Sequence, residues 1–446
     1  MLAAWRSQLQ PHPDPALDRA WKITQVSVLL LPFSPLLGVA GCLIGTILVW
    51  RSRYPTMRQQ PVYQGLAVLS GLLVLSAIAS PHPLDASLGL FHFLPYFFGF
   101  AGLCELLATP AQLRRLAWLL VLPAIAVCGI GFGQLLLGWL GYPNVIHLQI
   151  LWIVLDWQID PQGTPPGRMS ANFFYANVLA NYLIVTLVLA LGLAIAAGWQ
   201  RHRRAQGITA IAVLLNSLAL MLTHSRNGWA IAAGACGVYA LYLGRRLWVA
   251  AVLALVGVVF AAAFAPPPLQ TGLRAIVPRF IWARLTDELY PDRPLPTLRS
   301  TQWQFALELT QQRPWLGWGL RNFTPLYLEH TSYVMGHPHN LLLMLLCETG
   351  IPATLLLVGL VGWIVVQALR QIPALPSDDP SDRLISFSFV TAFLSNTVFN
   401  LFDVTLFDAR INLLGWLLLA ALGGLAQSAP LARGLDSPGW HPDAGD

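Results

Sequence analysis

The stretch Gly336-His337-Pro338-His339-Asn340 places two imidazoles two residues apart, just before the apolar run Leu341-Leu342-Leu343-Met344-Leu345-Leu346. A neutral imidazole near pH 7 is the natural group to take a proton from a sugar hydroxyl. His339 is therefore the candidate general base, with His337 and Asn340 beside it as substrate-binding groups. Two histidines at this interval also suit a metal, but no third ligand stands at a recognisable spacing. Neither a metal nor another cofactor is expected. Nine residues beyond His339, Glu348 sits inside the apolar run and must be paired or neutral, because an unpaired buried carboxylate is costly.

Arginine supplies the complementary chemistry, since its planar fork suits phosphate and diphosphate. Arg226 lies in the short turn Thr223-His224-Ser225-Arg226-Asn227-Gly228-Trp229 between two apolar spans. Arg299 opens a helical stretch whose first turn favours anions. Trp303, Ala306, Leu307 and Thr310 fall on one face of that stretch, which predicts an amphipathic helix along the membrane surface. Arg321 follows Gly317 and Gly319, whose amides would be able to approach a phosphate closely; taken alone, a structural turn is the simpler reading of those glycines. Arg168 precedes Asn177 and Asn181, which are four apart on one helical face and read as interhelical glue. Asn396, Asn400, Asp403, Asp408, Arg410 and Asn412 cluster near the ends of the last two apolar segments, with Asp408 and Arg410 able to pair.

Helices in a membrane must position these groups. The chain has 446 residues, 56% hydrophobic and only 10% charged, against roughly a quarter charged in soluble domains. Eleven apolar segments recur, at about 23–50, 62–80, 85–107, 113–137, 171–197, 207–223, 227–243, 247–266, 341–369, 385–402 and 410–427. Most are long enough to cross a roughly 30 Å hydrocarbon core as a helix. The strict alternation of a β-barrel is missing. The expected fold is an all-α, polytopic integral membrane protein of eleven to twelve transmembrane helices with one large outer loop. Four parts follow: an N-terminal bundle over 1–266, the loop over 267–338, C-terminal helices over 339–427, and a tail over 428–446. Pro32 and Pro35 divide the first segment, so it is either one kinked span or a tight helical pair. Residues 1–20 are polar and proline-bearing, unlike a cleaved signal peptide. The five cysteines all lie in apolar runs and read as packing residues.

Short loops carrying Arg51, Arg53 and Arg58, then Arg114 and Arg115, then Arg201, Arg203 and Arg204, then Arg245 and Arg246, then Arg370 and Arg383 alternate with arginine-poor loops. The basic loops are therefore cytoplasmic. The opposite face carries every candidate residue named above. The long loop is itself arginine-rich, but loops beyond about 60 residues escape the charge rule.

In this combination the residues resemble the O-antigen ligase and O-antigen polymerase superfamily of bacterial inner-membrane glycosyltransferases. The motif of His, then Asn, Ser or Gln, nine residues, then Gly is met by His339, Asn340 and Gly350. Ser225-Arg226 fits the Ser-Arg pair at the outer end of a mid-chain helix. Arg299 with Trp303, Pro314, Gly317, Gly319 and Phe323 fits the loop pattern, and Arg168 with Asn177, Ala180 and Tyr182 resembles an earlier block. Ala353 stands where the ligase version has Gly, Thr or Tyr, which points away from a strict lipid-A-core ligase of lipopolysaccharide. The resemblance implies a glycan donor on a polyprenyl (undecaprenyl) diphosphate, held at the periplasmic face by Arg226 and Arg299. His339 would activate an acceptor hydroxyl on a glycan, lipid or protein, with Arg168, Asn177, Arg321 and Glu348 in support. The expected partners are that lipid-linked donor, its acceptor and membrane lipids, without nucleic acid. The alternative is a transporter of a small inorganic anion such as bicarbonate, which would use the same outward arginines.

Overall fold

The computed structural model describes residues 9–137, 146–150, 153–157, 159–286, 288, 294–375 and 379–435. Each of the eleven apolar segments is helical. In chain order the helices are α1 (Asp18–Leu30), α2 (Pro35–Met57), α3 (Pro61–Ile78), α4 (Pro83–Leu90), α5 (Leu94–Leu106) and α6 (Pro110–Leu136). After a two-stranded antiparallel hairpin, β1 (Ile146–Ile150) and β2 (Ile153–Trp157), come α7 (Ala176–Trp199), α8 (Arg203–Leu222), α9 (Arg226–Tyr242) and α10 (Arg246–Phe264). The outer loop forms α11 (Leu269–Ile276), α12 (Arg279–Leu285), α13 (Arg299–Gln312) and α14 (Phe323–Thr331). The chain closes with α15 (Leu341–Gln371), α16 (Pro380–Asn400) and α17 (Ala409–Leu435). Proline opens α2, α3, α4, α6 and α16, where its missing N–H costs nothing and its fixed φ suits the helix.

This is an all-α polytopic membrane protein. Among the described residues, eight helical segments are long and apolar enough to cross a membrane, or nine if α10 and α11, bent by 117° at their junction, count as one. The eleven to twelve spans expected from sequence also include α1, α9 and α16, which are too short or too polar to qualify unaided and hold their places by packing on neighbours.

Pro32 and Pro35 resolve into the tight pair. A methyl on Gly38 would stand 2.6 Å from Leu31 and one on Gly45 2.6 Å from Thr24, so α2 runs back along α1 at close range. Asp14, before α1, pairs with Arg53 near the end of α2, which brings the chain start to the arginine-rich face. The same face joins Arg114 to Asp382 at 2.7 Å and to Gln200 at 3.2 Å. The starts of α6 and α16 and the end of α7 therefore meet there, as the charge alternation requires.

α7 is the central helix, packed against α6, α8, α9 and α16. Its Asn181 donates to Asn396 Oδ1 at 2.9 Å and Thr405 Oγ1 at 2.8 Å, the interhelical glue expected of it. Asp408 and Arg410 pair as anticipated, at 2.5 Å, with the guanidinium over the Phe173 ring.

The outer loop is built onto α15. That helix breaks at Gly350, whose φ of +81° leaves the helical region, and the break frees carbonyls that the loop then satisfies. Trp318 N donates to Cys347 O at 2.9 Å, Gly319 N to Glu348 O at 2.8 Å, and Ile351 N to Pro314 O at 2.8 Å. A Cβ on Gly317 would stand 2.5 Å from the Glu348 carbonyl, and one on Gly350 2.4 Å from Trp315 O. The amides after Gly317 thus bind backbone carbonyls. Of the two readings of these glycines, the simpler one, a structural turn, is what the structure shows. α13 differs from expectation: Gln302, Phe305, Ala306 and Leu309 form its buried face, packed on Phe323, Tyr327 and Cys347, while Leu307 is exposed. It rests on protein; Ala306 and Thr310 of the face read in the sequence are buried, while Gln302, Phe305 and Leu309 join them in place of Leu307.

Candidate functional site

Four separate segments converge on His339: the α13 helix, the His337–Asn340 turn, the link after α16, and the start of α7. His339 holds a left-handed conformation at φ +54°, uncommon for a residue with a side chain and a pointer to constraint. Asn340 then caps α15, its side-chain oxygen accepting from Leu343 N at 3.0 Å. Trp303 Nε1 donates to Pro338 O at 3.0 Å, fastening the turn to α13.

The imidazole of His339 is oriented from both sides. Gln302 is fully buried, and its Nε2 donates to the carbonyls of Pro296 and Thr297, each at 3.4 Å. That arrangement turns Gln302 Oε1 toward His339 Nδ1 at 2.8 Å, so Nδ1 must carry the proton. Nε2 is then a bare lone pair. It faces Asp403 Oδ1 across 3.9 Å, too long for a hydrogen bond and wide enough for a proton-bearing group to enter.

Asp403 is buried and held in turn. Asn177 Nδ2 donates to Asp403 Oδ2 at 2.5 Å, and Arg168 Nη2 donates to Asn177 Oδ1 at 2.6 Å. Arg168 Nε donates to Thr223 O at 2.7 Å, which ties in the turn that begins α9. A continuous chain thus runs from Thr223 through Arg168, Asn177 and Asp403 to the His339 face. Asn177 proves to be part of this chain, not only glue.

His337 lies against His339 with ring centroids 4.6 Å apart and stacks on Phe407 at 5.9 Å. Its Nδ1 accepts from the His339 backbone N–H at 3.1 Å. Burial pushes the His337 imidazole down to about 3, helped by the positive charge of His339 when protonated and of Arg299. Burial also lowers His339, opposed by Asp403 and reinforced by Arg299. Burial thus favours the neutral form of both rings. Arg299, at the first position of α13, makes no hydrogen bond or ion pair among the described residues, and its charge is felt at both histidines.

Arg226 is exposed at the first position of α9, where Ser225 caps the helix by accepting from Gly228 N at 3.3 Å. It stands three residues beyond the Thr223 carbonyl that Arg168 holds. Arg321 is exposed, with φ +64°, and lines a small pocket with His92, Glu348 and Phe407. Glu348 is buried and accepts from Phe323 N at 3.1 Å, so it satisfies the start of α14. Its role is to hold the loop, and it is paired as a buried carboxylate must be.

Residues 210–358 match the family model described as O-antigen ligase. Over that segment the chain is similar to the O-antigen ligase family. A search of the curated proteins finds no match. The matched segment runs from α8 into α15 and contains Arg226, Arg299, His337, His339 and Asn340. It supports a ligase- or polymerase-like role in polysaccharide biosynthesis, carried out by a multi-pass, glycosyltransferase-like membrane enzyme. Arg168, Asn177 and Asp403 lie outside that segment and reach the His339 face from elsewhere in the bundle.

Two residues of the site carry no clear motif. Gln302 is legible only as the polar member of an otherwise apolar face, three residues from Arg299. Asp403 stands out in sequence only as one of several polar groups after the penultimate apolar segment. Its partnership with His339 spans 64 residues and exists only once α15 and α16 have packed.

Proposed function

We propose that this protein transfers a glycan from a polyprenyl diphosphate to an acceptor hydroxyl at the arginine-poor, periplasmic face of a bacterial inner membrane. The observation that carries the reading is the bare Nε2 of His339, fixed by Gln302 and opening onto a 3.9 Å gap closed by Asp403. An acceptor hydroxyl entering that gap donates to Nε2. As its oxygen attacks the anomeric carbon, the proton passes to His339 and the bond from that carbon to the diphosphate oxygen breaks. The leaving diphosphate takes the electron pair.

Two charges then grow, and each has a partner. The imidazolium faces Asp403, which Asn177 and Arg168 hold in place. The diphosphate meets Arg299 at the start of α13, and Arg226 is the second guanidinium assigned to it, as charge-assisted donors that strengthen with developing charge. His337, Asn340 and Glu348 shape the turn and the loop; Arg321 lies at the rim, where an acceptor would approach.

The test uses a deletion strain re-expressing wild type or His339→Ala at equal membrane levels. Wild type should clear the accumulated lipid-linked glycan and restore surface polysaccharide, while the variant should not. If neither protein changes the glycan pool relative to the deletion strain, the transferase reading fails and anion uptake becomes the reading to pursue.

A further inference from the structure

We infer that His337, His339 and Asp403 also form an inhibitory binding site for a first-row transition-metal dication, with zinc as the probe. One ligand atom from each residue lies within 4.8 Å of the others, and the set is two imidazoles and a carboxylate, a donor combination suited to zinc. Sequence spacing offered no third ligand; the fold supplies it from the far side of α16.

Distance and orientation both fit. Zinc bonds nitrogen and carboxylate oxygen at about 2.0–2.2 Å, so two ligands at a tetrahedral angle stand roughly 3.4 Å apart. The His339 Nε2 to Asp403 Oδ1 separation of 3.9 Å needs only a small closure. The His339 lone pair already points into the gap, because Gln302 accepts the Nδ1 proton. Asn177 orients the carboxylate through its other oxygen. Outer hydrogen bonds of this kind aim ligands at a metal. His337 offers a ring nitrogen within 4.8 Å of the other two ligand atoms, and its Nδ1 accepts from the His339 amide at 3.1 Å. Arg299 is the opposing term, since its charge reaches both rings.

The consequence is exclusion. The lone pair that would bind the ion is the one that would take the acceptor's proton, so metal and acceptor cannot occupy His339 together. This part rests on the transferase reading; the binding part does not. Zinc would be titrated by calorimetry into chelator-treated, detergent-purified full-length protein, and transfer would be assayed with and without zinc. One zinc per chain is expected. Binding should weaken about 10- to 100-fold in Gln302→Ala and by at least as much in Asp403→Asn and His337→Ala, each checked as monodisperse. Zinc should inhibit transfer and a chelator should restore it. Equal zinc affinity in wild type and the ligand variants would overturn the site. A chelator that abolishes wild-type transfer would overturn the inhibitory role. Should zinc bind at these residues while His339→Ala still transfers glycan, the site stands and the general-base role of His339 falls; should wild type transfer no glycan at all, the site stands and the transferase reading falls.

Discussion

Replacing Asp403 by asparagine should slow transfer without unseating the donor. The carboxylate oxygen stands 3.9 Å from His339 Nε2, with side-chain exposures of 10% and 29%. Two unit charges at that distance attract by about 4 kcal/mol at an effective dielectric constant near 20. Partial exposure of the imidazole reduces this to about 2–3 kcal/mol. Since the attraction exists only once His339 has taken the proton, it acts on the transition state and not on the resting complex. The expected loss is roughly 30- to 160-fold in kcat, with KM for the lipid-linked donor little changed. Asparagine preserves the shape and an oxygen for Asn177, so a loss would not reflect a collapsed turn.

The decisive comparison is a double mutant assayed in proteoliposomes with purified lipid-linked glycan. Because Asp403 would act through His339, adding Asp403→Asn to His339→Ala should cost almost nothing further. If Asp403→Asn alone retained activity within about twofold, or if its effect were fully additive to that of His339→Ala, the reasoning from the 3.9 Å gap would be refuted.

Other substitutions probe the surrounding structure. Asn177→Ala removes the 2.5 Å donor to Asp403 and should lower kcat about tenfold, as loss of a charged hydrogen bond worth about 1.5–3 kcal/mol would allow; an unchanged kcat would show that Asp403 keeps its position unaided. Arg299→Lys keeps the charge but not the planar fork, so its activity should fall between wild type and Arg299→Ala in an initial-rate assay, and equality with wild type would exclude the forked contact. Gly350→Ala places a Cβ 2.4 Å from Trp315 O at φ +81°, and should destabilise by at least about 2 kcal/mol, read as a clear drop in Tm by fluorescence-detected size exclusion. Asn181→Ala strips a donor from Asn396 and Thr405 and should lower Tm by an amount consistent with about 1–3 kcal/mol, while the rate of the surviving folded protein stays near wild type.

Much of this architecture was legible in the sequence because the bilayer imposes local rules. Apolar length marks a span, and arginine marks a face; neither depends on which helices become neighbours. The eleven segments and the convergence of the basic ends followed from those rules, as did the Pro32–Pro35 division into two alternatives. Only tertiary contact could choose between the alternatives: a stripe of small residues on α2 lets α1 lie back against it, and Asp14 returns to Arg53. His339 and Arg299 were visible because an imidazole or guanidinium at a membrane boundary is costly without a use. The glycines near Arg321 left two readings open for a comparable reason. Glycine signals close backbone approach but not the approaching group, and here it is the broken turn of α15.

Gln302 and Asp403, which sequence did not rank, join the anticipated Arg168 and Asn177 to build the site as a unit. A histidine in a turn would by itself have either nitrogen protonated and either face open. Gln302, buried on α13, fixes the proton on Nδ1; Asp403, beyond α16, faces Nε2; Asn177 and Arg168, around the start of α7, anchor Asp403. The base is thus set by helices that are far apart in the chain, on a bundle whose interior permits little movement. Gln302 and Asp403 can be silent as motifs because a buried amide or carboxylate matters only through what it faces. On the proposed reading, activation of the acceptor depends on how α7, α13 and α16 pack around one turn, and a substitution that shifts any of these helices by about 1 Å should lower transfer even where every motif residue remains.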